Sequence, residues 1–151
     1  MEDIRLEGKA GRLGLIPTAV VTESQTTKAY RLPTSHEIER AASASDELEA
    51  VFSEIPFGLP KEATPSSGGS GASRAFSVQG YGLMEWCDLF TPRQLLALGT
   101  LVKQVRRFAT SDDPSIPPVW REAISAYLTV LFDKAADYSS TVCTWHNGRE
   151  L

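Results

Sequence analysis

The side chains able to do chemistry are few and scattered. Cys143-Thr144-Trp145-His146 has C-x-x-H spacing, which is half of a zinc site. The other half would have to come from Cys87 and His36, which form no paired motif. These residues are read as reduced thiols and imidazoles, not as a metal centre. The same side chains could make a Cys/His nucleophilic pair, but nothing in their spacing is diagnostic. Gly68-Gly69-Ser70-Gly71 has the glycine content of a phosphate loop. It follows no predicted strand, opens no helix and lacks a trailing Lys-Ser or Lys-Thr, so it reads as a linker. No catalytic, cofactor-binding or metal-ligating residue is assigned.

Two groups suit binding better than catalysis. Arg93, Lys103, Arg106 and Arg107 are the charged residues of one predicted helix and are the candidate DNA contacts. The competing reading is a solvated face whose cations suit a helix C-terminus. Tyr81, Trp86 and Phe90 lead into that helix. They either dock on the core or offer rings for base stacking.

The elements that must position these groups follow from composition and period. The chain has 151 residues and a formal net charge of -4, so one domain is expected and a polycation is excluded. No apolar run reaches the roughly 18 residues of a membrane span. The opening Met1-Glu2-Asp3-Ile4-Arg5 has no apolar secretion signal, and the expected location is cytoplasmic.

Thr18-Ala19-Val20-Val21-Thr22 and Lys28-Ala29-Tyr30-Arg31-Leu32 flank a polar link and predict a β-hairpin over 18–32. Thr34 and Glu37 have capping-box spacing and start a helix over 34–55. Its outer face holds Glu37, Glu39, Asp46, Glu47, Glu49 and Glu54 against one Arg40, which repels a phosphate backbone. Residues 1–62 form an N-terminal unit, 63–80 a flexible linker rich in Ser and Gly, and 81–151 a helical unit.

In the helical unit, Thr91-Pro92-Arg93-Gln94 is a strong start for a helix over 92–110. Leu95, Leu98, Leu101, Val102, Val105 and Phe108 give it an apolar face. Asp112-Asp113-Pro114 breaks it, and Pro117-Pro118 opens a last helix. Trp120, Ile124, Tyr127, Leu131, Ala135, Tyr138, Val142 and Trp145 recur every three or four residues and carry that helix to about His146. The fold class is mainly α with a small β-hairpin (α+β). It has three helices, and the two C-terminal ones form an antiparallel pair.

Several blocks then resemble a known family. Ala10-Gly11-Arg12-Leu13-Gly14-Leu15-Ile16-Pro17-Thr18-Ala19-Val20-Val21, Tyr30-Arg31-Leu32-Pro33-Thr34 and Pro56-Phe57-Gly58-Leu59-Pro60 come first. Asp88-Leu89-Phe90-Thr91-Pro92-Arg93-Gln94-Leu95-Leu96-Ala97-Leu98 follows. Ala136-Asp137-Tyr138-Ser139-Ser140 and Cys143-Thr144-Trp145-His146 complete the order. This is similar to the internal region of large bacterial and archaeal adenine-specific DNA methylases, which carry an N-terminal domain of unknown function. Ser139 stands where that family usually has Asn. The family's catalytic Asp-Pro-Pro-aromatic signature, which holds a flipped adenine beside S-adenosylmethionine, does not occur here.

The resemblance implies a non-catalytic, split or truncated segment of an adenine-specific DNA methyltransferase. It would scaffold a catalytic domain in cis or in trans and touch DNA weakly. S-adenosylmethionine is implied for the full-length family and no cofactor for this chain. Tyr138, Val142, Trp145 and His146 are the candidate partner interface, and self-association is a further expectation. The alternative is an autonomous helical interaction module without a methyltransferase partner. On either reading, Leu95, Leu98, Val102 and Val105 pack against Trp120, Ile124, Tyr127 and Leu131. Leu98→Ala is expected to lower the unfolding free energy by roughly 2–5 kcal/mol in a urea titration.

Overall fold

A computed structural model describes residues 2–23, 27–66 and 77–142. Among the described residues there are four α-helices and one two-stranded hairpin: α1 Glu2–Lys9, β1 Val20–Glu23, β2 Lys28–Arg31, α2 Ser35–Phe52, α3 Pro92–Ala109 and α4 Pro118–Ser139. The expected count of three helices is therefore corrected to four. The helix missed is α1, and its signal is charge order rather than apolar period. Glu2 and Asp3 occupy the first turn and Lys9 the last, matching the helix dipole. Ile4 and Leu6 are exposed, so period alone reports nothing there.

What holds α1 is a close backbone contact. Gly8 is buried, and a Cβ on it would run into the carbonyl of Tyr81. Gly82 turns away with φ +84, a conformation that favours glycine. Arg5 lies over the Tyr81 ring, 5.3 Å from its centroid.

The hairpin is antiparallel, with Val20 opposite Arg31 and Val21 opposite Tyr30. It leads into α2 through the expected capping box. The Glu37 N–H donates to the Thr34 hydroxyl at 3.3 Å, and the Thr34 N–H donates to the Glu37 carboxylate at 2.8 Å. The helix ends at Phe52, and residues 53–55 continue as turns.

The ends of the segment read as a linker are tied down. Ala63 bridges Glu85, and Thr64 is buried with its hydroxyl donating to the carbonyls of Leu83 and Met84. The Gln79 amide donates to the Thr64 carbonyl at 2.6 Å. Residues 67–76, the centre of that segment, lie outside the described residues.

The α3 start matches expectation. Thr91 and Gln94 form both halves of a capping box, and Pro92 sits at the first turn, where its missing N–H costs nothing. Among the described residues the buried apolar ones are Ala44 and Phe52 of α2, Leu89, and Leu95 of α3. Gly99 is the contact point between α2 and α3. A Cβ there would stand 2.8 Å from the Phe52 ring and 3.1 Å from a Val51 methyl.

The long last helix departs from expectation in two ways. It stops at Ser139 rather than near His146, because Ser140 turns extended. The N–H and hydroxyl of Thr141 then both donate to the Leu89 carbonyl, at 2.7 and 2.8 Å. That bond brings the end of α4 to the start of α3, so the two helices are antiparallel. The packed face is also a different one. Trp120, Tyr127 and Leu131 are 65%, 76% and 64% exposed. The less exposed residues are Arg121, Ser125, Leu128, Phe132, Ala135, Ala136 and Ser139. Small residues let the α4 backbone approach α3, while Leu128 and Phe132 supply apolar contact. The helix is apolar on two sides, and the periodic count favours the bulkier side.

Alanine normally outranks glycine inside a helix by about 1 kcal/mol. At Gly99 the sign is expected to reverse. Gly99→Ala should destabilise by roughly 1–3 kcal/mol through overpacking against Phe52. Phe52→Leu in the same chain should recover part of that loss in urea denaturation.

Candidate interaction site

Two adjoining hollows of about 330 and 610 Å³ run along the N-terminal half of α2. Leu15, Ile16 and Pro17 form one wall of the first. Ile38, Ala41 and Ala42 form its floor, and Thr91-Pro92-Arg93 the far wall. The second continues past Thr18–Val20 to Pro33, His36, Glu37 and Arg40, and shares Arg93. The groove is thus apolar in the middle and charged at one end.

Each wall has a local cause. Pro17 and Pro33 keep their segments out of helix, so the chain runs extended beside α2. The capping boxes fix the starts of α2 and α3, and with them the directions in which Ile38 and Arg93 project. At the charged end Arg31 grips Glu37 with two bonds, of 2.8 and 2.6 Å. This guanidinium, with the backbone and hydroxyl of Thr34, holds the Glu37 carboxyl far below its usual 4.5. The pair joins β2 to α2 and settles the hairpin over the groove's end.

The candidate DNA contacts do not gather into one patch. Lys103 and Arg107 both face Glu54 at the end of α2, with Arg107 at 3.6 Å. Lys103, then Arg107, lowers the Glu54 carboxyl, so that acid stays ionised and offsets the cations. Arg106 is exposed on the same helix half. Arg93 lies at the other end of α3, in the groove. Of the aromatic trio, Tyr81 has Arg5 over its ring, Phe90 is half-buried, and Trp86 is exposed.

The metal and nucleophile candidates separate in the same way. His36 lines the second hollow. Cys87 lines a third, of about 340 Å³, with Gly8, Tyr81 and Phe90. Burial first, and then its bond to Glu85, raise the Cys87 thiol above its ordinary value, so it stays protonated and a poor nucleophile. Among the described residues no three His, Cys, Asp or Glu side chains could hold a metal ion together. Cys143, Trp145 and His146 lie outside the described residues. Tyr138 and Val142, the other proposed interface residues, are both exposed. Among the described residues no helix is long and apolar enough to cross a membrane.

Sequence reasoning missed the groove and the turn at Phe57. The groove brings together residues far apart in the chain, which no local pattern marks. Phe57 is 99% exposed and has φ +71, a costly pairing for a bulky side chain. Its turn closes with the Gly58 N–H donating to the Ile55 carbonyl at 3.1 Å. No known protein family, curated protein or solved structure matches the chain.

The Glu37 clamp makes a pH prediction. Its carboxyl titrates lower in the folded chain than in the unfolded one. It therefore contributes fully above the ordinary carboxylate range and progressively less as pH falls below about 4.5. Glu37→Gln should lower the melting temperature at pH 7, and its difference from the parent chain should shrink in acid.

Proposed function

We propose that this chain is a non-catalytic helical scaffolding segment of an adenine-specific DNA methyltransferase. Its groove along α2 receives the catalytic domain, in cis or in trans, in the cytoplasm. The observation that carries this reading is convergence. Three of the six blocks that resemble the methylase family are distant in sequence, yet they line one surface. Leu15-Ile16-Pro17 comes from the first block, Pro33 from the second, and Thr91-Pro92-Arg93 from the fourth. Thr141, just past the Ala136–Ser140 block, is bonded to Leu89 next to that wall.

The chemistry of the groove fits a protein surface. Ile16 is 84% exposed and Leu15 is exposed beside it, so an apolar side chain of a partner would remove both from water. Arg40 and Arg93 at the rim suit carboxylates. Phe57, held in solvent by its turn, is a second apolar side chain that a partner would cover. The methyl donor, the Asp-Pro-Pro-aromatic motif and the flipped adenine belong to the partner. DNA contact by this segment is weak and salt-sensitive, because Glu54 offsets two of its four candidate cations.

Titration calorimetry tests this with a separately expressed methyltransferase domain that carries the Asp-Pro-Pro-aromatic motif. The chain should bind that domain, and Ile16→Asp should weaken binding at least about tenfold, near 1.4 kcal/mol. The chain alone should bind no S-adenosylmethionine. Failure of the unmodified chain to bind the domain, or binding indifferent to Ile16→Asp, would overturn the reading.

A further inference from the structure

The outer ridge of α4 lies apart from the groove and carries a pattern of its own. Trp120, Ile124, Tyr127, Leu131, Lys134 and Tyr138 are spaced by four, three, four, three and four residues, the a/d repeat of a helix–helix seam. All are on the exposed side of the helix. The spacing is the same read from either end, with its centre at residue 129.

We infer that this ridge is the twofold interface between two copies of this chain, with their α4 helices packed antiparallel. A closed twofold contact is made by one patch that complements itself. A helix seam meets that condition when its side-chain order is palindromic. With the axis at residue 129, Trp120 meets Tyr138 of the second copy, Tyr127 meets Leu131, and Ile124 meets Lys134. Large apolar groups oppose large apolar groups in four of the six layers. In the other two, the methylene stem of Lys134 covers Ile124. Its ammonium lies 5.0 Å from the Tyr138 ring centroid, at the edge of the seam.

Charge and area agree with that occupant. At 100° per residue, Glu122, Asp133 and Asp137 project about 100–160° from the centre of the ridge, so no carboxylate enters the seam. Val130, exposed beside the ridge, falls next to the axis and faces its own copy. Together the exposed parts of these side chains amount to something on the order of 700 Å² per copy, given the 150–250 Å² of an aromatic side chain. A stable interface of ordinary size needs about 800 Å² per partner. The adjoining α3–α4 pairs would then form a four-helix layer, with each groove outside it.

Sedimentation equilibrium of the full chain tests the interface and its direction. The unmodified chain should be dimeric at about 100 μM, in the micromolar range typical of weak specific contacts. Tyr127→Glu, at an exposed position, should keep its helical circular dichroism and weaken the dimer at least about tenfold. Adding Leu131→Lys to Tyr127→Glu should restore the dimer, since position 127 faces position 131 of the other copy only in the antiparallel arrangement. A monomer at 100 μM would overturn the proposal. So would a dimer indifferent to Tyr127→Glu, or a double variant that stays monomeric. Binding of the methyltransferase domain to the groove is read separately, because Tyr127→Glu leaves Ile16 untouched.

Discussion

The packing of Phe52 on Gly99 is the contact on which the rest of the structure depends. It sets α2 against α3 at a distance that admits no side chain on the α3 side. Phe52 is the last residue of α2, and the turn toward Phe57 begins just past this contact. Glu54, two residues on, is then carried to Lys103 and Arg107. With the α2–α3 distance set, the starts of the two helices are also set, and the groove is the space left between them and the extended segment 15–17.

A second constraint places α4. The Leu89 carbonyl lies just before the α3 cap and accepts two bonds from Thr141. At the other end the Arg121 guanidinium donates to the carbonyls of Asp113 and Ile116, which close the link between the helices. Both ends of α4 are therefore held by polar contacts to loops. Between them, small residues and a few larger ones face α3, and no residue of α4 is fully buried. A helix held by its ends and packed through its smaller residues leaves its large aromatic residues outside.

These constraints separate surfaces from chemistry. Among the described residues, His36 and Cys87 line different hollows, and burial and the bond to Glu85 raise the Cys87 thiol above its ordinary value. The acid just past the end of α2 offsets the charges of Lys103 and Arg107. Among the described residues, two apolar surfaces stand out, the groove along α2 and the ridge of α4. They lie on different elements of the fold, so a change in one leaves the other untouched.

The sequence by itself determined what depends on near neighbours. Both capping boxes, the proline at the start of α3, the hairpin and the break at Asp112-Asp113-Pro114 are local bargains between side chain and backbone, and all lie where their residues predict. Helix α1 escaped because its charge order is a weaker signal than apolar period, and its anchor is a glycine whose use appears only beside Tyr81. Only the tertiary structure decided which side of α4 is inside, because both sides are apolar and the choice rests on how closely α3 can approach. It alone brought Leu15, Ile38 and Arg93 into one groove and parted Arg93 from Lys103. Such outcomes depend on the distance between helices. For the groove it is the α2–α3 distance, met at one ring against one glycine 47 residues apart in the chain.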